Sequence, residues 1–430
     1  MQLIIRQATI ADPKSPFNGQ VVNLLINNGK ISFSNNGTVN QDATVIDLPG
    51  LYVSPGWTDV FAHFCDPGLE YKETIETGAA AAAAGGYTRI LVVPNTKPVI
   101  DAKSQVEYLV QKTKSLCVTV LPIGAITKNC EGKDLAEMYD MRASGAIAFG
   151  DGLHPVQSSQ VMLKALQYVK PFDGVIIQVP DELSLTKQGL MNEGIISTQM
   201  GLPGKPAIGE YLLISRDIEL LRYTGSRIHF TGVSTAASFN IIKKAKEEGL
   251  NVTCSVTPYH LNFCDEDLQQ YDTNLKVNPP LRTRADMEAC REAVLDGTVD
   301  CISSHHQPHE YDSKVCEFEY AKYGMEGLES CFSAVRSALP SLSVDAIVSL
   351  FAIAPATIFN LPLPALEEGA EAFLTLFLPD ADYSFEKDQI QSKSSNNAFI
   401  GRQLKGRVAG IINKQQVIIN QKNIDTWKNK

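Results

Sequence analysis

Two patterns of apolar and polar residues divide the chain. Residues 1–50 carry short apolar runs separated by Asn-Gly, Asn-Asn-Gly and proline turn signals, a pattern typical of β-strands. Runs of the same kind return in residues 365–430. The predicted strands cover 3–10, 21–33, 43–48, 373–377 and 406–419. We therefore expect one small composite β domain built from both ends of the chain.

The middle of the chain, residues 51–364, repeats an apolar strand, a polar loop and an amphipathic helix. Predicted strands lie at 51–60, 89–94, 118–123, 146–149, 175–179, 228–233, 252–257 and 300–304. Predicted helices include 71–84, 102–115, 157–169, 208–223, 236–248 and 284–295. Eight such alternations predict an α/β fold of the TIM (β/α)8 barrel type, in which functional groups lie at the C-terminal ends of the strands.

Composition narrows the class of protein. The 430 residues, 44% of them hydrophobic and 20% charged, suffice for a barrel core and an attached domain. A net charge of −10 without a Lys/Arg-rich run disfavours nucleic acid and anionic membranes as partners. The N-terminal residues lack a signal-peptide pattern and no apolar run approaches a membrane span, so we expect a cytoplasmic protein. The nine cysteines contain no CxxC pair and predict reduced thiols.

Histidines and other polar residues gather at the predicted strand ends. These positions are His63, Asn95, Asp151, Gln178, His260, His305, His306 and His309. They include five of the seven histidines, all but His154 and His229. A catalytic zinc takes three protein ligands and keeps an open position. His63, Asp151 and His305 could therefore supply ligands from three strands, while a metal-free pocket of hydrogen-bonded side chains is the alternative.

Several sequence blocks resemble those of dihydroorotases, which belong to the amidohydrolase superfamily. GWTDVFAHFCDPG at 56–68 resembles the family's Asp-x-His-x-His-x-Arg-x-Pro-Gly motif, with Phe61 in place of the first histidine and Cys65 in place of the arginine. Further blocks in family order are GGYT (85–88), VPNT (93–96), GLMNEG (189–194), VST (233–235), VTPYH (256–260), NPPLR (278–282), GLES (327–330) and the segments 392–401 and 406–408. The chain is identified by these blocks as a divergent member of the family.

The resemblance implies interconversion of dihydroorotate and carbamoyl-aspartate, a step of pyrimidine synthesis. It assigns metal ligation to His63 and Asp151. It assigns substrate contacts to Asn95, Asn278 and His309. Four further positions of the family site are replaced, and these are Phe61, Gln178 and Gly232 at histidine ligands and His305 at the aspartate that binds metal and acts as general base.

These replacements bear on the chemistry that the resemblance implies. Opening a cyclic amide needs a metal-activated hydroxide, a proton shuttle and a clamp that orients the substrate. Cys65 cannot clamp a carboxylate as a bidentate arginine does; it could be a soft ligand, a nucleophile or a buried thiol. We expect no metal, or a single zinc at low occupancy on His63, Asp151 and His305. His305 and His306 remain as candidate bases.

Two hypotheses follow. The first is a catalytically impaired or inactive dihydroorotase-like protein that acts as a scaffold or regulatory partner, for instance of aspartate carbamoyltransferase, with which some family members assemble. The second is an active cyclic amidohydrolase with an atypical mononuclear metal site. Under either hypothesis, we expect a homo-oligomer whose pocket accepts a small cyclic amide or a carbamoyl amino acid.

Overall fold

The computed structural model describes residues 2–34 and 44–420. The strands are β1 (Gln2–Ile10), β2 (Val21–Asn27), β3 (Lys30–Ser34), β4 (Thr44–Asp47), β5 (Tyr52–Pro55), β6 (Trp57–Ala62), β7 (Tyr87–Val92), β8 (Thr119–Gly124), β9 (Ala148–Phe149), β10 (Ile176–Gln178), β11 (Met191–Asn192), β12 (Gly204–Lys205), β13 (Ile228–Phe230), β14 (Val252–Val256), β15 (Cys301–Ile302), β16 (Phe373–Ser384), β17 (Gln403–Asn413) and β18 (Gln416–Ile419). The helices are α1 (Ile75–Ala84), α2 (Lys103–Thr113), α3 (Met138–Ala143), α4 (Ser159–Val169), α5 (Leu183–Thr186), α6 (Ile195–Met200), α7 (Ile208–Thr224), α8 (Ala236–Glu247), α9 (Pro258–Asn262), α10 (Arg284–Leu295), α11 (Cys331–Ala338), α12 (Val344–Val348) and α13 (Ala354–Ile358).

Eight parallel strands form the predicted barrel. Their order is β6-β7-β8-β9-β10-β13-β14-β15. The first and last strands meet through a parallel bridge between Ala62 and His306, and the His63 N–H donates to the carbonyl of His306 at 2.9 Å. Apolar side chains fill the interior, among them Phe61, Leu91 and Ile177. The TIM-barrel prediction is confirmed.

The N-terminal and C-terminal strands share a second sheet, as predicted. Its order is β18-β17-β16-β5-β1-β2-β3, with β4 parallel to β1. The prediction of one strand at 51–60 is wrong, because β5 pairs with β16 in this sheet whereas β6 opens the barrel. The chain passes between the sheets at Gly56, where a Cβ would lie 2.3 Å from the Thr88 hydroxyl. The predicted strand at 43–48 begins at Ala43, outside the described residues.

Helix α1 begins later than its predicted start at residue 71. The Thr74 hydroxyl accepts a hydrogen bond from the Thr77 N–H at 3.2 Å, so Thr74 caps the helix. Alanines fill the rest of α1 up to the cap at Gly85. Across residues 2–34 and 44–420, no helix has the length and apolar character needed to cross a membrane.

Candidate functional site

The centre of the barrel mouth is filled by the imidazole of His305. This side chain is 1% exposed, and its ring centroid lies 4.6 Å from that of Phe61. Gly232 also lies against the imidazole, where an added Cβ would come within 2.6 Å of His305 Cε1. His305 therefore packs against two other positions at which the resemblance places metal-binding groups, and we call this packed group the His305 plug.

A chain of hydroxyl groups orients His305. Its Nε2 lies 2.8 Å from Thr231 Oγ1, and that oxygen accepts a hydrogen bond from Ser255 Oγ at 3.0 Å. The Thr231 hydroxyl can donate to His305 Nε2 or accept from it, so Nε2 is the ring nitrogen that the protein engages. His305 Nδ1 is buried and has no hydrogen-bond partner among the described residues. Burial lowers the pKa of His305 to about 3, so the ring is neutral.

Both ring nitrogens of His63 are also engaged. Nε2 lies 3.1 Å from the Asn95 carbonyl oxygen, and Nδ1 lies 2.7 Å from the Cys65 sulfur. A carbonyl can only accept, so Nε2 carries the proton and Nδ1 accepts from the thiol. Burial lowers the pKa of His63 to about 4 and raises the pKa of Cys65 well above its usual range. These hydrogen bonds leave His63 no free lone pair for a metal.

Asp151 directs its carboxylate toward a loop. Oδ1 accepts from the Thr127 N–H at 2.9 Å, and Oδ2 accepts from the Thr127 hydroxyl. Burial raises the pKa of Asp151 to about 6, against the hydrogen bonds from Thr127 that lower it.

The structure does not bring the predicted zinc ligands together. Over the described ranges, no three His, Cys, Asp or Glu side chains are placed to hold one ion. Zinc needs deprotonated nitrogen or oxygen donors with available lone pairs. Both ring nitrogens of His63 are hydrogen-bonded within the protein, and both carboxylate oxygens of Asp151 accept from Thr127. As arranged here, these donor groups do not fit the metal that the resemblance implies.

This arrangement gives a prediction for Asp151. At pH 8, where the carboxylate is ionised, Asp151→Asn is expected to lower the free energy of unfolding by about 1–2 kcal/mol, because an amide cannot accept both hydrogen bonds from Thr127. The metal content of the purified protein should not change. Urea denaturation and elemental analysis measure the two quantities, with the exposed Asp134→Asn as control. A metal lost on substitution would show that Asp151 is a ligand.

A cavity of about 340 Å³, here called the mouth pocket, brings part of the predicted site together. Its lining includes Asn278, His305 and His309, with Leu153, Val179 and Tyr323. Asn95 is not part of this lining. Its side-chain amide donates to the Asp151 carbonyl and accepts from the Leu153 N–H.

The three predicted substrate contacts are held by other residues. The Asn278 carbonyl oxygen accepts from Lys205 at 2.8 Å. His309 Nε2 donates to the Tyr323 carbonyl at 2.8 Å. Asn95 bridges two loops as described, whereas Asn278 and His309 also line the mouth pocket.

Two histidines lie elsewhere than the sequence suggested. His154, expected away from the mouth, lines the mouth pocket. It belongs to the loop after β9, and that position was the signal available in the sequence. His306, a candidate base, is fully buried outside the mouth pocket, 3.4 Å from Glu73 and 3.6 Å from Glu326.

The two neighbouring carboxylates make His306 a poor candidate for a general base. Burial alone would lower its pKa, but the carboxylates of Glu326 and Glu73 outweigh burial and raise it to about 9. A protonated imidazole has no lone pair with which to accept a proton.

The replaced position Gln178 and the strand-end residue His260 also have structural partners. Gln178 hydrogen-bonds the backbone of Val156 and reaches Asp217 at 3.3 Å. His260 lies between the Thr257 hydroxyl and the Pro280 carbonyl. Neither side chain offers a group to the mouth pocket lining.

Comparisons with known proteins place the chain in a family. The family model described as dihydro-orotase-like matches residues 50–238. A dihydroorotase of Syntrophus aciditrophicus is 39% identical over 95% of this chain and 97% of its own length. A dihydroorotase of Geobacter sulfurreducens is 40% identical over the same shares of both chains.

A solved structure agrees in fold. The L-hydantoinase (dihydropyrimidinase) of Arthrobacter aurescens superposes with a TM-score of 0.83 at 22% identity, covering 97% of this chain and 96% of that one. At this identity the likeness shows the fold alone. The match to full-length relatives shows more: this chain belongs to the dihydroorotase family.

Proposed function

We propose that this chain is a noncatalytic member of the dihydroorotase family that acts as a scaffold or regulatory partner in pyrimidine synthesis. The observation that carries the proposal is the packing of His305 between Phe61 and Gly232. The imidazole fills the space in which the family places metal-binding groups.

The protein also lacks other groups that amide hydrolysis requires. The reaction needs an activated water, a group that transfers its proton and a clamp for the substrate. His306 is buried away from the mouth pocket with its pKa raised to about 9, and Cys65 replaces the arginine clamp. Loss of a proton shuttle alone costs roughly 10²- to 10⁴-fold in rate. Loss of three functions together supports an inactive protein.

The proposed partner is aspartate carbamoyltransferase, because some members of this family assemble with that enzyme. The barrel would then contribute surface rather than chemistry. Its mouth pocket would still accept a small cyclic amide or carbamoyl amino acid without turnover. Mixing the purified chain with the transferase from the same organism should give a larger species in analytical ultracentrifugation. Separate sedimentation at micromolar concentration would contradict the scaffold role.

The catalytic part of the proposal has a direct test. Carbamoyl-aspartate cyclisation by the purified chain should be undetectable, with and without added Zn²⁺. A dihydroorotase with an intact His-x-His-x-Arg motif, assayed in parallel, provides the positive control. Turnover that is abolished by His63→Ala would refute the noncatalytic proposal.

The second candidate is an active cyclic amidohydrolase with an atypical mononuclear site. Its support is that the full-length relatives at 38–40% identity carry the name dihydroorotase. For this function His63 would have to exchange one of its present hydrogen bonds for a metal. The cyclisation assay with added Zn²⁺ decides between the two candidates.

A further inference from the structure

A second cavity adjoins the mouth pocket and shares the His309 side chain with it. This rim cavity has a volume of about 460 Å³. Its lining includes three lysines, Lys314, Lys387 and Lys393, and Glu310 is the one acidic residue among the described lining residues. The whole chain carries a net charge of −10, so a cationic cavity here runs against the average charge of the protein. Clefts with one sign of charge concentrate ligands of the opposite sign.

Lys314 forms the base of the rim cavity and is only 5% exposed. Its ammonium group donates to the carbonyls of Thr273 at 2.8 Å and Lys322 at 2.7 Å. No carboxylate of residues 2–34 or 44–420 lies within ion-pair distance of it, although Asp272 is near enough to favour its charge. Buried lysines are normally paired with an acid. With two of its three N–H groups donated to carbonyls, the Lys314 ammonium has one left for a group from outside the chain.

The environment of the Lys314 ammonium also favours a bound anion. Burial and the neighbouring Lys276 lower the pKa of Lys314 to about 7. A bound anion would stabilise its protonated form. Lys387 and Lys393 are exposed at the cavity entrance.

The walls of the rim cavity are held in place by the polypeptide. Asn396 accepts from the His309 N–H at 3.0 Å and donates to the Gln307 carbonyl at 3.1 Å. The exposed rings of Tyr71 and Tyr311 flank the opening. The cationic groups thus surround a preformed space large enough for a small molecule.

We propose that the rim cavity binds a small anion bearing a phosphate or carboxylate group, with Lys314 at its base and Lys387 and Lys393 at its entrance. The site is separate from amide hydrolysis, because none of these lysines belongs to the family positions at the barrel centre. The proposal therefore holds whether or not the chain proves catalytic. A bound anion there would contact His309 and so reach the wall of the mouth pocket.

Isothermal titration calorimetry tests this site with three probes. Inorganic pyrophosphate represents a phosphate ligand, and carbamoyl-aspartate represents a carboxylate ligand. Hydantoin, a cyclic amide without a carboxylate or phosphate group, is the uncharged probe. At least one anion should bind, more weakly at 0.5 M than at 0.05 M NaCl, because added salt screens the lysines. Any binding of hydantoin should be the same in the original chain and in the lysine variants. Comparing the two anions identifies the preferred group.

The variants separate the rim cavity from other sites. The exposed double substitution K387M/K393M is expected to weaken anion binding by about tenfold, because two charges near the ligand are lost. Lys314→Met should weaken binding at least as much. Lys164→Met, on the exposed side of α4, is the matched control and should bind as the original chain does.

Two results would overturn the inference. One is no measurable heat with either anion at millimolar concentration. The other is binding that K387M/K393M leaves unchanged. If Lys314→Met fails to fold, as judged by circular dichroism, the exposed double variant still decides the question. Cyclisation activity is not needed to read any of these outcomes.

Discussion

His306→Phe is expected to lower the free energy of unfolding by about 3–5 kcal/mol, the usual cost of removing one partner from a buried ion pair. The imidazole lies 3.4 Å from Glu73 and 3.6 Å from Glu326, and all three side chains are 0% exposed. Phenylalanine keeps the ring but leaves the buried carboxylates without a positive partner. Urea denaturation at pH 6 measures the loss. Arg222→Ala, which removes two exposed ion pairs, should have a much smaller effect because solvent screens them.

The effect of His306 should depend on pH in one direction. Its folded-state pKa is raised to about 9 from an ordinary value of 6.5. A raised pKa contributes stability that is complete below pH 6.5 and is lost as pH rises through about 9. The deficit of His306→Phe should therefore shrink between these two values. A deficit below 1 kcal/mol at pH 6, or one that grows with pH, would show that the imidazole is not charged in the folded protein.

Gly232→Ala is expected to destabilise the fold by about 2–5 kcal/mol, from overpacking and from a left-handed backbone conformation. The added methyl would lie 2.6 Å from His305 Cε1 at a residue whose φ is +73°. Gly249→Ala is the matched control, because its φ is +80° and nothing lies within 4 Å of its Cβ position. The control should cost only about 1–2 kcal/mol.

A double substitution isolates the contact between these two positions. Gly232→Ala combined with His305→Ala should be more stable than the sum of the single effects predicts, by about 1–3 kcal/mol, since the collision is gone. Thermal or urea denaturation of the four proteins gives this coupling energy. Additive effects would mean that His305 does not fill the space beside Gly232.

The fold followed from the sequence because the barrel repeats its own pattern. The prediction of one continuous strand at 51–60 is wrong, because the chain changes sheets at Pro55 and Gly56 without a break in the buried pattern. Local patterning carries no information about which sheet accepts a strand. The close approach of Thr88 to Gly56 arises only in the folded protein.

The candidate site was predicted less completely. Family motifs identified the replaced positions, but not that Gly232 makes room for His305, a contact between residues distant in sequence. The sequence places both His305 and His306 at the mouth, but His305 adopts a left-handed backbone conformation with φ +45° after the strand has ended at Ile302. Strand alternation therefore could not have separated the two side chains. The buried carboxylates of Glu73 and Glu326, which bind His306, follow no local pattern.

Metal analysis of the purified chain tests the central claim most directly. The claim is that the His305 plug has replaced the metal centre of this barrel. Elemental analysis after purification in Zn²⁺-supplemented medium and gel filtration should find well under one transition metal per chain, with the same value for His63→Ala. One or more metal ions per chain, lost in His63→Ala, would contradict the account.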